Sequence, residues 1–386
     1  MFDIAVIGGG LAGCSAAITL AMREHSVLLL EAGSYPRAKV CGEFLSPECA
    51  AILDDISFLP SLHALKPALI HRVRITAPNQ TEWQSDLPEP ALGVSRYALD
   101  FMLFEYARSR NVQAEENARV IEIQGNLDAG FTLSVRTNRG MQSFKARAVI
   151  CAYGKHSNLD RSLRKSSSNQ NHNYVALKRH FDGPSLYDQI DLHVFQGGYC
   201  GMSHIEDGTV NVCLLVRQRE FQNAVKSNSN GVDGFISWMC KQNPALGSWL
   251  GQANPIEDNW LSIAHIPLTT RSAVEQDILF TGDAAAMVAP LAGDGMAMAL
   301  QSGKLAAQSI DAFLHHEFSA THLKQAYTQT WNKTFRSRLR TGRLLQSIML
   351  RPTVLGLGLK LINQIPAVGN FLIQQTRDLS LLEQEQ

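Results

Sequence analysis

Phe2-Asp-Ile-Ala-Val-Ile-Gly8-Gly9-Gly10-Leu11-Ala12-Gly13 decides how this chain is read. Phe2 to Ile7 is a short β-type run, Leu11 to Met22 has the Ala- and Leu-rich composition of a helix, and Ser26 to Glu31 (SVLLLE) is a buried strand. The three make a βαβ unit at the start of the chain. Within it Gly8, Gly10 and Gly13 satisfy G-x-G-x-x-G, with Leu11 and Ala12 opening the helix. The first glycine permits the tight turn, the second lets a pyrophosphate approach the backbone, and the third lets the helix pack on the strand. Glu31 ends the second strand about 20 residues further on, where a carboxylate can hold a ribose 2′-hydroxyl. An acid at that place disfavours a 2′-phosphate, and hence NADP, in this site.

Outward from that unit, composition narrows the classes. A chain of 386 residues holds two to three structural units at roughly 150 residues each. Its 35 basic and 35 acidic residues cancel, which argues against a polybasic nucleic-acid binder or an acidic tail. Charged residues make up 18%, below the usual quarter, so the surface is expected to be somewhat apolar. The 7 cysteines are odd in number and scattered without a C-x-x-C pair, so neither a disulfide framework nor a metal site is expected, and a cytoplasmic location fits. Ile4 to Met22 is uncharged, yet Asp3 precedes it and its glycines would break the apolar helix that a membrane span or signal peptide needs.

Further along, Arg72 to Thr76 reads as a strand and Arg96 to Arg108 as an amphipathic helix, followed by alternating stretches at Arg119 to Gln124, Phe131 to Thr137 and Ala146 to Cys151. From Tyr174 to Val216 the pattern is strand-rich with Gly-containing turns, as in an antiparallel sheet. Helical patterns occupy Val232 to Gln242, Met296 to Leu314 and His322 to Leu350, and a strand is expected at Ile278 to Thr281. The polar patch Ser166-Ser-Ser-Asn-Gln-Asn-His-Asn reads as a linker.

At the far end, Phe280-Thr-Gly282-Asp283 leads to Pro290-Leu-Ala-Gly293-Asp294-Gly295-Met296. An Asp just after a strand can bond a sugar-alcohol hydroxyl, and bare amides at a helix start can stabilise negative charge on a reduced ring. The two ends together resemble the flavoprotein superfamily of para-hydroxybenzoate hydroxylase and geranylgeranyl reductase, over roughly residues 1 to 335. Two intermediate motifs extend the resemblance. Arg37-Ala-Lys39-Val-Cys41-Gly42-Glu43 looks like the K-x-C-G loop of the geranylgeranyl reductase branch, and Ser95-Arg96 with Asp100 and Leu103 like a helix whose Arg approaches the cofactor. Tyr153-Gly154 with Ser157 resembles the segment after the last strand of the nucleotide domain, and Val120 joins the expected cofactor contacts.

The resemblance implies an α/β fold: a Rossmann-like FAD-binding domain of the glutathione reductase type, an inserted, mostly antiparallel β-sheet substrate domain, and C-terminal helices. The expected division is 1–72, 96–170 and 257–335 for the FAD-binding domain, 73–95 and 171–256 for the substrate domain, and 336–386 for the helical segment. FAD is expected along Gly8 to Gly13, with Glu31 on the adenosine ribose and Asp283 on the ribityl chain. Tyr153 stands where aromatic hydroxylases carry an Asp associated with NAD(P)H use, so the electron donor is expected to be a transiently bound NAD(P)H or a separate reductase.

Glu43, Tyr199, His204 and Asp294 are the candidate catalytic residues, each with a duller reading. Glu43 can pair with a cation such as Arg37, Asp294 can be a helix N-cap, and His204 a satisfied sheet histidine. Cys41 reads as a small loop residue rather than a redox thiol, and Asp311 with His315 as surface pairing rather than a metal site.

The leading expectation is an FAD-dependent monooxygenase hydroxylating an apolar aromatic, polyketide or terpenoid molecule. The alternatives are a flavin-dependent reductase or dehydrogenase acting on carbon–carbon bonds of a prenyl-type substrate, and a non-catalytic flavin-bound carrier. A hydrophobic small molecule is the expected partner, with no nucleic acid and no transmembrane segment. The tail Arg340 to Arg377 leaves three readings open: a lid on the substrate domain, an interfacial surface that touches a membrane peripherally, and ordinary core-facing helices.

Overall fold

Strands that are apolar along their whole length need cover on both faces, and the N-terminal unit builds a sheet that supplies it. Phe2–Ile7 pairs in parallel with Val27–Leu30 on one side and Gly140–Cys151 on the other, so that Ile7 faces both Leu30 and Cys151. Gln113–Glu115 extends this sheet past Val27–Leu30, and Ile278–Phe280 joins Gly140–Cys151. The hairpin Arg119–Asn126 and Gly130–Thr137 is attached to Gly140–Cys151 as an antiparallel extension. The helices Arg96–Ser109 and Gly295–Leu314 pack against Leu11–Ala21, which is buried over ten of its residues. In this computed structural model the described residues are 1–155, 157–163, 174–228, 230–266, 270–287 and 293–364. The expected linker at 166–173, Pro290 and the tail beyond residue 364, including Arg377, lie outside them.

A second sheet stands beside the first. Tyr174–Asp182, Val210–Arg217, Gly198–His204 and Gln189–Phe195 run antiparallel in that order, then Ala68–Thr76 joins in parallel and Glu82–Gly93 antiparallel. The sheet exceeds the expected excursions: Phe44–Leu45 pairs with Glu82–Gly93, Ala68–Thr76 starts before residue 73, and Leu261–Ile266 pairs with Tyr174–Asp182 beyond residue 256. Glu82–Gly93 carries Pro88 and Pro90 and does not read as a strand in sequence. Its pairing with Ala68–Thr76 jumps from Ile70↔Ala91 to Arg72↔Asp86, so the prolines fall where the ladder is interrupted.

Strand alternation sorts the second sheet into two faces. Val175, Leu177, Met202, Val212 and Leu214 point to a core closed by helices Gln218–Asn228, Gly231–Gln242 and Pro244–Leu250. Tyr174, Ala176, Tyr199 and Leu215 point the other way, toward the helices Ala320–Met349 and Pro352–Gln364. Those two helices form a hairpin bent by 106°; together they meet the length and composition of a membrane span, but among the described residues no single helix is long and apolar enough to cross a membrane.

Candidate active site

The glycine turn is held by backbone contacts that side chains would destroy. Gly8 has φ +106°, and a Cβ on Gly13 would lie 1.8 Å from the Gly8 carbonyl oxygen. A Cβ on Gly10 would meet only Lys39 Nζ at 3.5 Å, because Gly10 borders the cavity. Glu31, 5% exposed, accepts from Gly9 N–H at 2.9 Å and Gly33 N–H at 2.8 Å and pairs with Arg37 at 2.8 Å. Burial alone would raise its pKa; the Arg37 charge and the two amides outweigh that and hold the carboxyl below its ordinary value.

Beside the turn, Asp100 is fully enclosed and receives Arg96 at 2.6 and 2.9 Å and Lys39 at 2.7 Å. Burial opposes its ionisation, but the two cations bring its pKa down to about 2. With two cations on one carboxylate, Lys39 and Arg96 leave net positive charge at the cavity wall next to Gly10.

All of this opens into one cavity of about 1020 Å³. Gly8, Gly10, Leu11, Ala12, Glu31, Arg37, Cys41, Gly42, Arg96, Val120 and Gly154 line it from the first sheet and its loops. Gly282, Asp283, Gly293, Gly295 and Met296 line it from the last strand and the helix that follows. Gly13 serves helix packing and is not part of the wall.

Asp294 is not in that wall either. Its carboxylate lies 3.3 Å from Arg338, which also pairs with Glu48 at 2.7 Å, all three being buried. An arginine one helix further along thus draws Asp294 into the core. His204 is likewise displaced from the cavity, and parity is the reason: residues 199 and 204 of one strand are an odd number apart and face opposite sides. Tyr199 lines the cavity, whereas His204 Nε2 accepts from Leu186 N–H at 3.1 Å and its Nδ1 lies 2.9 Å from the Gly208 carbonyl oxygen.

Glu43 does sit in the wall, completely buried, with φ +54°. Its cation is not Arg37 but buried Lys178, and the second oxygen lies 2.8 Å from His180 Nε2. His180 Nδ1 in turn lies 2.8 Å from Glu257, which is half exposed. Arg96 N–H also donates to Glu43 at 2.7 Å. Lys178 and His180 escaped the sequence reading because they reach Glu43 across 135 and 137 residues. Their two-residue spacing in a strand, which places both on one face, was the available signal.

Beyond Glu43 the cavity wall is apolar: Ile75, Leu192, Leu215, Ile263, Met287, Ile348, Leu355 and Leu359 among others. The Tyr199 hydroxyl is buried there with no hydrogen-bond partner among the described residues, and burial, first, keeps its pKa well above the phenol value. Cys213 lines the same cavity as Cys41; burial, then Cys41, pushes its thiol up to about 12. Elsewhere, Asp311 gathers His25, His315 and also Arg23 at the surface, as an ion-pair group.

The donor set suits FAD. Backbone amides at a helix start, with Lys39 and Arg96 beside them, match a pyrophosphate. Carboxylates at Glu31 and Asp283 match sugar hydroxyls, and one continuous cavity joins the two. Fold and cradle together define a dinucleotide-binding flavoprotein. The FAD dependent oxidoreductase (DAO) family model matches residues 3–50. The chain is 25% identical over 361 residues to digeranylgeranylglycerophospholipid reductase 1 of Methanopyrus kandleri, with 89% of each covered. It is 25% identical over 329 residues to the menaquinone reductase of Mycobacterium tuberculosis, covering 80% of this chain and 76% of that one. Its fold matches the flavin-dependent brominase Bmp2 with a TM-score of 0.81 at 18% identity, covering 97% of this chain and 93% of that structure. The protein is an FAD-dependent oxidoreductase, similar in sequence to lipid reductases and in fold to flavin-dependent halogenases.

Proposed function

We propose that this protein reduces a carbon–carbon double bond of an apolar, prenyl-type lipid. The observation that carries the reading is the continuous apolar chamber running from Glu43 to the C-terminal helices, in which Ile75, Leu192, Ile263, Ile348 and Leu359 offer an alkyl chain contact and no charge. The names of the Methanopyrus and mycobacterial relatives support it, both being reductases of lipophilic molecules. Bound FAD supplies the two-electron chemistry.

The chain's own residues bind, orient and move a proton. The amides at Gly10–Ala12, with Lys39 and Arg96, would hold the pyrophosphate of FAD, Glu31 and Asp283 would take its sugar hydroxyls, and Gly293, Gly295 and Met296 would offer backbone to the flavin. Glu43 is the proton-handling group: it is buried in the cavity wall and connects through His180 to the half-exposed Glu257. Lys178 holds the Glu43 carboxylate in place. Electrons arrive from NAD(P)H bound transiently or from a separate reductase, since the chain carries one dinucleotide fingerprint.

The test separates reduction from the hydroxylation expected from sequence alone. Dithionite-reduced protein is mixed anaerobically with a polyprenyl lipid or a menaquinone, and the products are read by mass spectrometry. Addition of two hydrogens without oxygen supports the reading. Product that forms only with oxygen and gains an oxygen atom establishes hydroxylation instead.

A further inference from the structure

We infer that the outer face of the C-terminal helical hairpin docks on an anionic lipid bilayer and sets the mouth of the apolar cavity against it. Charge is the first observation. Between Glu317 and Asp378 the sequence contains no Asp or Glu, while Lys and Arg recur from Lys324 to Arg377, in a chain whose net charge is zero. Two of these cations are consumed inside the molecule, Lys324 by Asp277 and Arg338 by Glu48 and Asp294. Arg336, Arg340, Arg343, Arg351 and Lys360 are exposed, and none of them has an ion-pair partner among the described residues.

Apolar exposure is the second. Val354, Leu357 and Leu361 follow one stripe of the Pro352–Gln364 helix at 47%, 62% and 60% exposure. The opposite stripe, Leu355, Leu359 and Ile362, lines the cavity. A helix that is apolar on both sides needs a second apolar neighbour, and here one side has the cavity and the other is solvent-facing. Leu344 both lines the cavity and is 61% exposed, which places a mouth of the cavity within the same cationic, leucine-bearing surface. Leucines among unpaired Lys and Arg are the composition of a helix that lies in the headgroup plane of an anionic membrane. A second copy of this chain would bring the same unbalanced positive charge and be repelled. An acidic protein would satisfy the cations but offer nothing to a cavity that opens between them.

The inference deepens the proposed lipid reduction and rests on it only for the cargo that crosses the mouth. Its test uses the full-length, FAD-loaded protein sedimented with vesicles of phosphatidylcholine alone or with phosphatidylglycerol. Expected is binding to the anionic vesicles, weakened by salt. Leu357→Ser with Leu361→Ser, and separately Arg351→Gln with Lys360→Gln, should each lower partitioning about tenfold or more, at about fivefold per cation. Flavin content and melting temperature should stay unchanged. Turnover of vesicle-embedded lipid should fall in both variants while turnover of detergent-dispersed lipid does not. Wild-type protein that ignores anionic vesicles, variants that bind as wild type, or a stable dimer that the Leu357→Ser and Leu361→Ser changes dissociate would each overturn the docking. Preferential binding to an acidic protein without vesicle binding would do so as well. Vesicle binding without reduction of any lipid leaves the docking standing and overturns the reductase reading alone.

Discussion

The glycine cradle and the apolar chamber are two halves of one cavity built on opposite rules. In the cradle nearly every contact is backbone or charge: Gly8 and Gly13 touch, two amides hold Glu31, and two cations hold Asp100. In the chamber nearly every contact is a side chain without polarity, and the Tyr199 hydroxyl stands without a partner among the described residues. The cradle specifies its occupant by hydrogen bonds at fixed places, and so permits little variation. The chamber specifies by shape and exclusion of water, which tolerates exchange of one apolar side chain for another. Relatives sharing the first half can therefore differ in what they accept in the second.

Two glycine substitutions break the cradle in different ways. Gly13→Val places carbon 1.8 Å from a backbone oxygen that has no room to withdraw, and the expected result is loss of folding, seen as insoluble expression or an absent melting transition. Gly10→Val meets only the flexible end of Lys39, so the protein should fold with a melting temperature near wild type yet purify without flavin. If Gly10→Val retains full flavin absorbance, the pyrophosphate does not pass there.

The buried carboxylate of Glu43 in the chamber wall gives the next largest effect. Glu43→Gln removes the proton-handling atom and leaves Lys178 buried without its counter-charge. Turnover with pre-reduced protein should fall about 100-fold with flavin retained, and stability by about 3 kcal/mol. His180→Asn should keep the flavin and most of the stability while changing the pH profile of turnover, because it interrupts the link from Glu257. Equal losses in both variants with an unchanged pH profile would make this cluster structural only.

How far these halves were legible differs for the same reason that they differ chemically. The cradle is local: Gly8 to Glu31 lies on one βαβ unit, so spacing along the chain becomes spacing in the fold, and the helix expected at Arg96 to Arg108 ends within one residue of the observed Ser109. The chamber is assembled from strands and helices far apart in sequence. Lys178 and His180 meet Glu43, and Glu257 meets His180, only after the second sheet has formed; the two-residue spacing of Lys178 and His180 puts them on one face but does not name their partner. His204 follows the duller of its two readings, a hydrogen-bonded sheet histidine, because its parity with Tyr199 turns it away from the cavity. Asp294 was misplaced because nothing near it in sequence reveals Arg338. The helix Pro352–Gln364 falls within the helical segment expected at 336–386, but its two apolar faces blur the periodicity that would have set its bounds.

Acid sharpens the comparison again, at the carboxylates of the cradle. Asp100, at about 2, lies below its ordinary 3.8 because Arg96 and Lys39 overcome the burial that opposes its charge. A carboxylate depressed in the folded state contributes stability that is complete above the unfolded value and is lost as pH falls through the folded one. Asp100 thus contributes about 2 kcal/mol above pH ~4, disappearing toward pH ~2, and Glu31 adds to the same slope in the same direction. Measured by urea midpoint against pH, wild type should lose stability across that window, and Asp100→Asn, already destabilised at neutral pH, should show a shallower slope. An identical slope would mean that the cations hold Asp100 no more tightly in the folded than in the unfolded chain.

The smallest effect lies in the chamber and tests what it excludes. Tyr199 is 5% exposed, its strand partner across the ladder is Leu215, and its hydroxyl has neither an acceptor among the described residues nor, with its pKa held high, any charge at working pH. An unpaired buried hydroxyl is unfavourable by about 1–3 kcal/mol, so Tyr199→Phe should leave the melting temperature unchanged or raise it slightly. Retaining such a group makes physical sense if it donates to an oxygen carried by the lipid, as on a quinone ring or a glycerol ether, since a donor in apolar surroundings rejects a partner that cannot accept. The variant should then raise KM for an oxygen-bearing prenyl lipid about tenfold at nearly constant kcat, while a pure polyprenyl hydrocarbon is handled as before. Equal effects on both lipids would show that Tyr199 only fills space, and that the chamber discriminates by shape alone.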